Sequence, residues 1–214
     1  MRLHGYRRCV ATWRVQIALA LKGVEVETLL RDPPDEASRA GLPPRLPLGL
    51  AAAVPAGPNP ILQLPDGTLL HNAMAILEWL EEIWPSPALL PPDPATRARV
   101  RAFSQAIAGE IAMLHAARVL ARLRATGASE GQAQGWARQA ITEGLEAGEA
   151  LLDDAAGPFC FGDSPGFADI HLVPQLQMAR RFGVELVFPR LLAAEAASLT
   201  LPAFHATLRE TQHA

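Results

Sequence analysis

Lysine is nearly missing from this chain. Lys22 is the only one among 19 cationic residues, and the rest are arginine. Aromatic residues make up 6% of the sequence, with a single tyrosine, Tyr6, and there are two cysteines, Cys9 and Cys160. Each scarcity excludes something. With 19 cations against 22 acids the formal charge is −3, which argues against nucleic acid as a partner. Two cysteines cannot make a disulfide framework and suit a reducing compartment, so a cytoplasmic location is expected. No stretch approaches 18 uninterrupted apolar residues, which excludes a membrane-spanning helix. The opening segment, Met1 to Arg8, lacks the apolar core of a signal peptide. No metal site is expected.

What is present is ample apolar material. Half of the 214 residues are hydrophobic and 19% are charged, enough to bury one core or two small ones. Arg2 to Gly5 predicts a short strand. Residues 11–22 predict a buried helix closed by Gly23. Val24 to Thr28 alternates apolar and acidic side chains, the period of a half-buried strand. Residues 33–58, rich in proline, glycine and alanine, predict a long loop with one short helix. Ile61 to Leu64 and Thr68 to Leu70 flank Pro65-Asp66-Gly67, a hairpin turn. Residues 72–84 predict an apolar helix. The resulting order, β-α-β-loop-β-β-α, is a small α/β layer.

Residues 85–94 hold five prolines, a short stiff linker. Beyond it everything predicts helix. In 95–125, Val100, Phe103, Ile107, Ile111 and Leu114 keep spacings of three or four. Further helices are expected over about 131–155, 166–181, 189–199 and 202–211. Cys160, between Phe159 and Phe161, is expected in the core.

Several motifs narrow the reading. The run from Trp13 to Gly23 resembles the first helix of zeta-class glutathione transferases, a family that includes maleylacetoacetate and maleylpyruvate isomerases. Ala75 to Glu82, Pro87 to Pro91, Arg99 to Arg101, and Phe161 to Phe182 resemble the same family, in the same order along the chain. The resemblance implies an α/β thioredoxin-like domain over 1–84, a linker over 85–93, and an all-α domain over 94–214. It implies glutathione as cofactor, a small anionic unsaturated substrate, and a homodimer. It also implies a cis–trans isomerisation: a thiolate adds to the cis double bond of a maleyl-type acid, the bond thus made single rotates, and departure of the thiol leaves the trans product.

Site residues follow by position within that resemblance. In the family a hydroxyl or thiol at the start of the first helix activates the sulfur of glutathione, from a Ser-Ser-Cys-Ser-like run. Here the run is Cys9-Val10-Ala11-Thr12, so Cys9 and Thr12 are the catalytic candidates. The helix N-terminus beside them favours an anion, and a thiol beside cations is easier to ionise. Asn59 and Pro60 match the proline that holds the tripeptide backbone, and a cis Asn59–Pro60 bond is expected. Val54-Pro55 lies too far before Asp66 to fill that role. Asn72 and Ala73 stand where the family binds the γ-glutamyl end. Arg8, Arg118 and Arg181 match arginines that hold substrate carboxylates, with Arg8 also a catalytic candidate, and His115, close to a family position on the fourth helix, is a further substrate-binding candidate. Arginine suits this because its planar fork pairs bidentately with a carboxylate. Asp169 is expected to bond back to the backbone at a helix start, a folding role. Two other readings remain open. One is a cysteine-type thiol transferase in which Cys9 forms a mixed disulfide with glutathione. The other is a diverged, glutathione-independent isomerase or ligand-binding protein.

Overall fold

The structure is a computed structural model that describes residues 1–7, 9–31, 60–152 and 156–205. The expected loop over 33–58 lies outside the described residues. The chain divides into two compact units. One holds Met1–Pro87 with, among the described residues, Ala203, Phe204 and His205; the other is Ala88–Pro202.

The first unit is a four-stranded sheet with two helices. Strand β1 (Arg2–Tyr6) leads to helix α1 (Val10–Lys22) and strand β2 (Glu27–Arg31), and after the undescribed segment come β3 (Ile61–Gln63), β4 (Leu69–His71) and α2 (Ala73–Ile83). The spatial order is β2-β1-β3-β4. β1 and β2 run parallel across α1, while β1–β3 and β3–β4 are antiparallel. β1 therefore has partners on both sides, and its inward Leu3 is fully buried. α1 is apolar nearly all round and is buried from Thr12 to Leu19, as expected of a helix inside a layer. It packs on α2. Between β3 and β4, Asp66 Oδ1 accepts from Thr68 N at 2.9 Å, and Gly67 takes a positive φ of 89° that an L side chain resists.

The second strand lies three residues later than the alternation over 24–28 predicts. Gly23 adopts the left-handed conformation at the end of α1, and Val24 N donates to Leu19 O while Gly23 N donates to Ala20 O. This is a Schellman closure. It occupies the N–H of Val24, so the ladder with β1 begins only at Glu27, opposite Arg2.

The second unit is helical: α3 (Pro94–Gln105), a π-helical stretch (Ala106–Ile111), α4 (Ala112–Leu114), α5 (Ala117–Ala125), α6 (Glu130–Leu151), α7 (Phe167–Arg181) and α8 (Pro189–Leu199). The single helix predicted over 95–125 is thus corrected. Gly144 and Gly148 on α6 offer a flat track to the π stretch. A Cβ on Gly144 would lie 2.1 Å from Ile111 Cγ1, and one on Gly148 would lie 3.4 Å from Ile107 Cδ1. The wider π turn carries the buried stripe at steps of four: Phe103, Ile107, Ile111 and then His115. Leu114, expected on the stripe, is 41% exposed, whereas His115 is 7% exposed. The helix then breaks, because Ala116 is extended at φ −58°, ψ 139°. The indole N–H of Trp136 donates to the Leu114 carbonyl at 3.0 Å, satisfying a group released by the break.

Candidate functional site

In the first unit the sheet register gathers three expected positions at one end. His4 stands opposite Ile61, and Ile61 stands opposite His71. The chain leaving β1 toward Cys9, the chain entering β3 from Pro60, and the chain leaving β4 into Asn72 therefore share one sheet end. Arg8 and Asn59, and with Asn59 the expected cis bond, lie outside the described residues.

Cys9 is the N-cap of α1. Its backbone is extended, it is half-buried, its sulfur is free, and it places no side-chain cap on the helix. No acidic residue lies in the first turn. The positive end of the helix dipole is thus left uncompensated by protein carboxylates in that turn, an arrangement that favours an anion. Arg14, two residues beyond Thr12, adds a cation. Burial pushes its guanidinium down to about 10, while negative charge at Cys9 acts in the opposite direction. Burial likewise pushes the Tyr6 hydroxyl up; Arg31 opposes the shift and Cys9 reinforces it. Tyr6, Cys9 and Arg14 therefore form one electrostatic neighbourhood. Arg14 enters the sequence argument only as part of a helix motif. The signal for its role is a cation five residues after the N-cap on an otherwise apolar helix.

Thr12 faces inward and is 1% exposed. Its hydroxyl accepts from Tyr6 N at 3.3 Å. A Cβ on Gly5 would lie 2.4 Å from Thr12 Cγ2, so the glycine permits a close approach of α1 to β1. Thr12 ties the start of α1 to the end of β1, and that contact fixes where Cys9 stands.

Pro60 is buried at the start of β3. Asn72 caps α2, its Oδ1 accepting from Met74 N at 2.9 Å. Its backbone has φ 75°, ψ 123°, the only positive φ outside glycine among the described residues. Such a conformation costs on the order of 1–3 kcal/mol and is found where the surrounding structure enforces it. Ala73, next in the chain, is buried.

In the second unit the break after His115 makes a new helix start, with Val119 N and Leu120 N donating to Ala116 O at 2.8 and 3.1 Å. Arg118 lies in this first turn. It is exposed, and its Nη2 lies 3.3 Å from Met113 Sδ, a weak acceptor. Arg181, the last residue of α7, is exposed and has no side-chain partner among the described residues. Its neighbour Arg180 is already committed, pairing with Glu195 at 2.6 and 2.5 Å. His115 joins the two arginine-bearing segments. Its Nε2 meets Gln175 Nε2 at 3.1 Å, and its ring lies 5.4 Å from that of Phe182, the residue after Arg181. Gln175 was legible only as part of the Phe161 to Phe182 motif, and its contact with His115 was not.

Asp169 takes the expected folding role. Its oxygens accept from Cys160 N and Gly166 N, each at 2.9 Å. Gly166 carries no side-chain cap because a Cβ there would lie 2.7 Å from Leu89 O. Cys160 is buried, and burial beside Asp169 pushes its thiol well up, which leaves it inert. Among the described residues no helix is long and apolar enough to cross a membrane, and no cluster of three metal-ligating side chains occurs.

Comparisons with known proteins agree with one another. Residues 8–83 match the model of the glutathione S-transferase N-terminal domain. The maleylacetoacetate isomerase of Pseudomonas aeruginosa is 43% identical over 95% of this chain and 93% of its own length. A solved structure described as holo maleylpyruvate isomerase, a bacterial zeta-class glutathione transferase, superposes with TM-score 0.87 at 36% identity, covering 99% of this chain and 98% of the other. The maleylacetoacetate isomerase of Anaeromyxobacter dehalogenans, solved with glutathione in its active site, gives TM-score 0.84 at 40% identity over 99% and 95% of the two chains.

Proposed function

Since the chain belongs to the zeta class of the glutathione transferases, we propose that it is a glutathione-dependent cis–trans isomerase acting on a maleyl-type carboxylic acid. The observation that carries this reading is the sheet end shared by the chain leaving β1 toward Cys9, the chain entering β3 from Pro60 and the chain leaving β4 into Asn72, with the start of α1 left without an acidic residue. That donor set suits a thiolate. Asn59, Pro60, Asn72 and Ala73 would hold the tripeptide, with Asn72 and the start of α2 at its γ-glutamyl end. Bound glutathione supplies a nucleophilic thiol that is recovered unchanged. Cys9 and the α1 N-terminus lower the cost of negative charge on sulfur. Arg8, Arg118 and Arg181 hold substrate carboxylates and offset the charge that grows during reaction. Thr12 acts by fixing Cys9. The glutathione-binding domain is assigned to 1–84 and the substrate domain to 94–214, and the enzyme is assigned as a cytoplasmic homodimer.

The test is an isomerisation assay on maleylacetoacetate and maleylpyruvate, with and without glutathione. Activity should require glutathione, and Cys9→Ala should lower it by roughly 10²-fold, the order lost with one preorganised donor. Full activity without glutathione would overturn the reading. Because the half-buried Cys9 thiol is free, the thiol-transferase reading is tested alongside. A mass shift at Cys9 after treatment with oxidised glutathione, with no isomerase activity, would favour it.

A further inference from the structure

His115 and Gln175 form a buried polar pair that the chemistry above does not use. Gln175 is fully buried on α7, and its amide nitrogen donates to His115 Nε2 at 3.1 Å. The same ring packs on Phe182. One imidazole thus touches α7 at Gln175 and the chain just past α7 at Phe182, seven residues further on. Arg181 precedes Phe182, and Arg118 follows His115 by three residues. The pair ties together the two segments that carry Arg118 and Arg181.

The pair is also incompletely satisfied. Gln175 Oε1 is buried and has no hydrogen-bond partner among the described residues. A core selected for stability alone avoids this, because a half-satisfied polar pair is worse than apolar packing of the same shape. We propose that Gln175, acting through His115, is a positioning residue for the anion site formed by Arg118 and Arg181. The proposal rests on the reading of those arginines as substrate ligands. In this proposal His115 acts through its contacts, its Nε2 meeting Gln175 and its ring packing on Phe182.

The test uses the full chain and the isomerisation assay. In Gln175→Met, and in the double variant His115→Phe/Gln175→Met, which removes both polar partners, KM for the maleyl substrate should rise about tenfold. kcat should stay within about threefold, and KM for glutathione should not change. The double variant should unfold at or above the wild-type temperature. Gln175→Glu, whose carboxylate can accept from the imidazole once Nε2 carries a proton, should restore the substrate KM to within about threefold. An unchanged substrate KM in either Met-bearing variant overturns the proposal. So does a parallel rise in both KM values with a fall in kcat, or failure of both variants to fold. Arg118→Gln and Arg181→Gln separate the two levels. If they leave the substrate KM unchanged, the arginine reading fails and the proposal falls with it. If they raise it while Gln175→Met does not, positioning alone fails.

Discussion

Asp169 lies among buried groups at the start of α7, and burial pushes its carboxyl above the ordinary 3.8 while the N–H groups of Cys160 and Gly166 oppose the shift. A raised native value means that, just above pH 3.8, the folded chain binds more protons than the unfolded one. Stability from this group is therefore fully present below the unfolded value and is lost as pH rises through the native one. Asp169→Asn cannot titrate, and its amide places N–H against N–H. Urea unfolding should show a loss of about 1–3 kcal/mol, and the loss should shrink as pH rises from 4 toward 7. The two cysteines show how far single residues were legible. Cys160 sits between two phenylalanines, and its core position follows from its neighbours. Cys9 was located by its place relative to Trp13 and Arg14. Its electrostatic tie to a buried Arg14 depends on how α1 packs, which no local pattern encodes.

At the scale of elements, the sheet layer was legible because each piece carries its own punctuation: Gly23 after α1, Pro65-Asp66-Gly67 between β3 and β4, and Asn72 before α2. The break in the helix over 95–125 was not. Leu114 fits an α-helical stripe as well as His115 fits a π-shifted one, and the choice is made by Gly144 and Gly148, about thirty residues away on α6. That dependence can be measured within one helix. Gly144→Ala would put a methyl against Ile111 and should cost about 1–3 kcal/mol. Gly135→Ala, where nothing lies within 4 Å, should stabilise by up to about 1 kcal/mol, because alanine is the better helix former. Thermal unfolding of the pair should give shifts of opposite sign.

For the molecule as a whole, a net charge of −3 hides an uneven distribution. Arg180 and Arg124 are paired, whereas Arg118 and Arg181 meet no carboxylate among the described residues. The lone lysine has the opposite fate. Lys22 Nζ is buried at the end of α1 and donates to Glu81 Oε2 at 2.5 Å and to the carbonyls of Trp84 and Pro87 at 2.6 Å each. It ties α1 to the end of α2 and to the last residues of the first unit. Lys22→Met leaves a carboxylate and two carbonyls without their cation and should cost about 3–5 kcal/mol in urea unfolding. Arg2→Ala breaks only an exposed pair with Glu27 and should cost about 1 kcal/mol or less.

The same arrangement makes Lys22 a reporter. An endoproteinase that cuts only after lysine has one target bond in these 214 residues, Lys22–Gly23, and the native fold closes it. The rate of its cleavage therefore counts unfolded molecules, one scission each, while the arginine side chains stay silent to the enzyme.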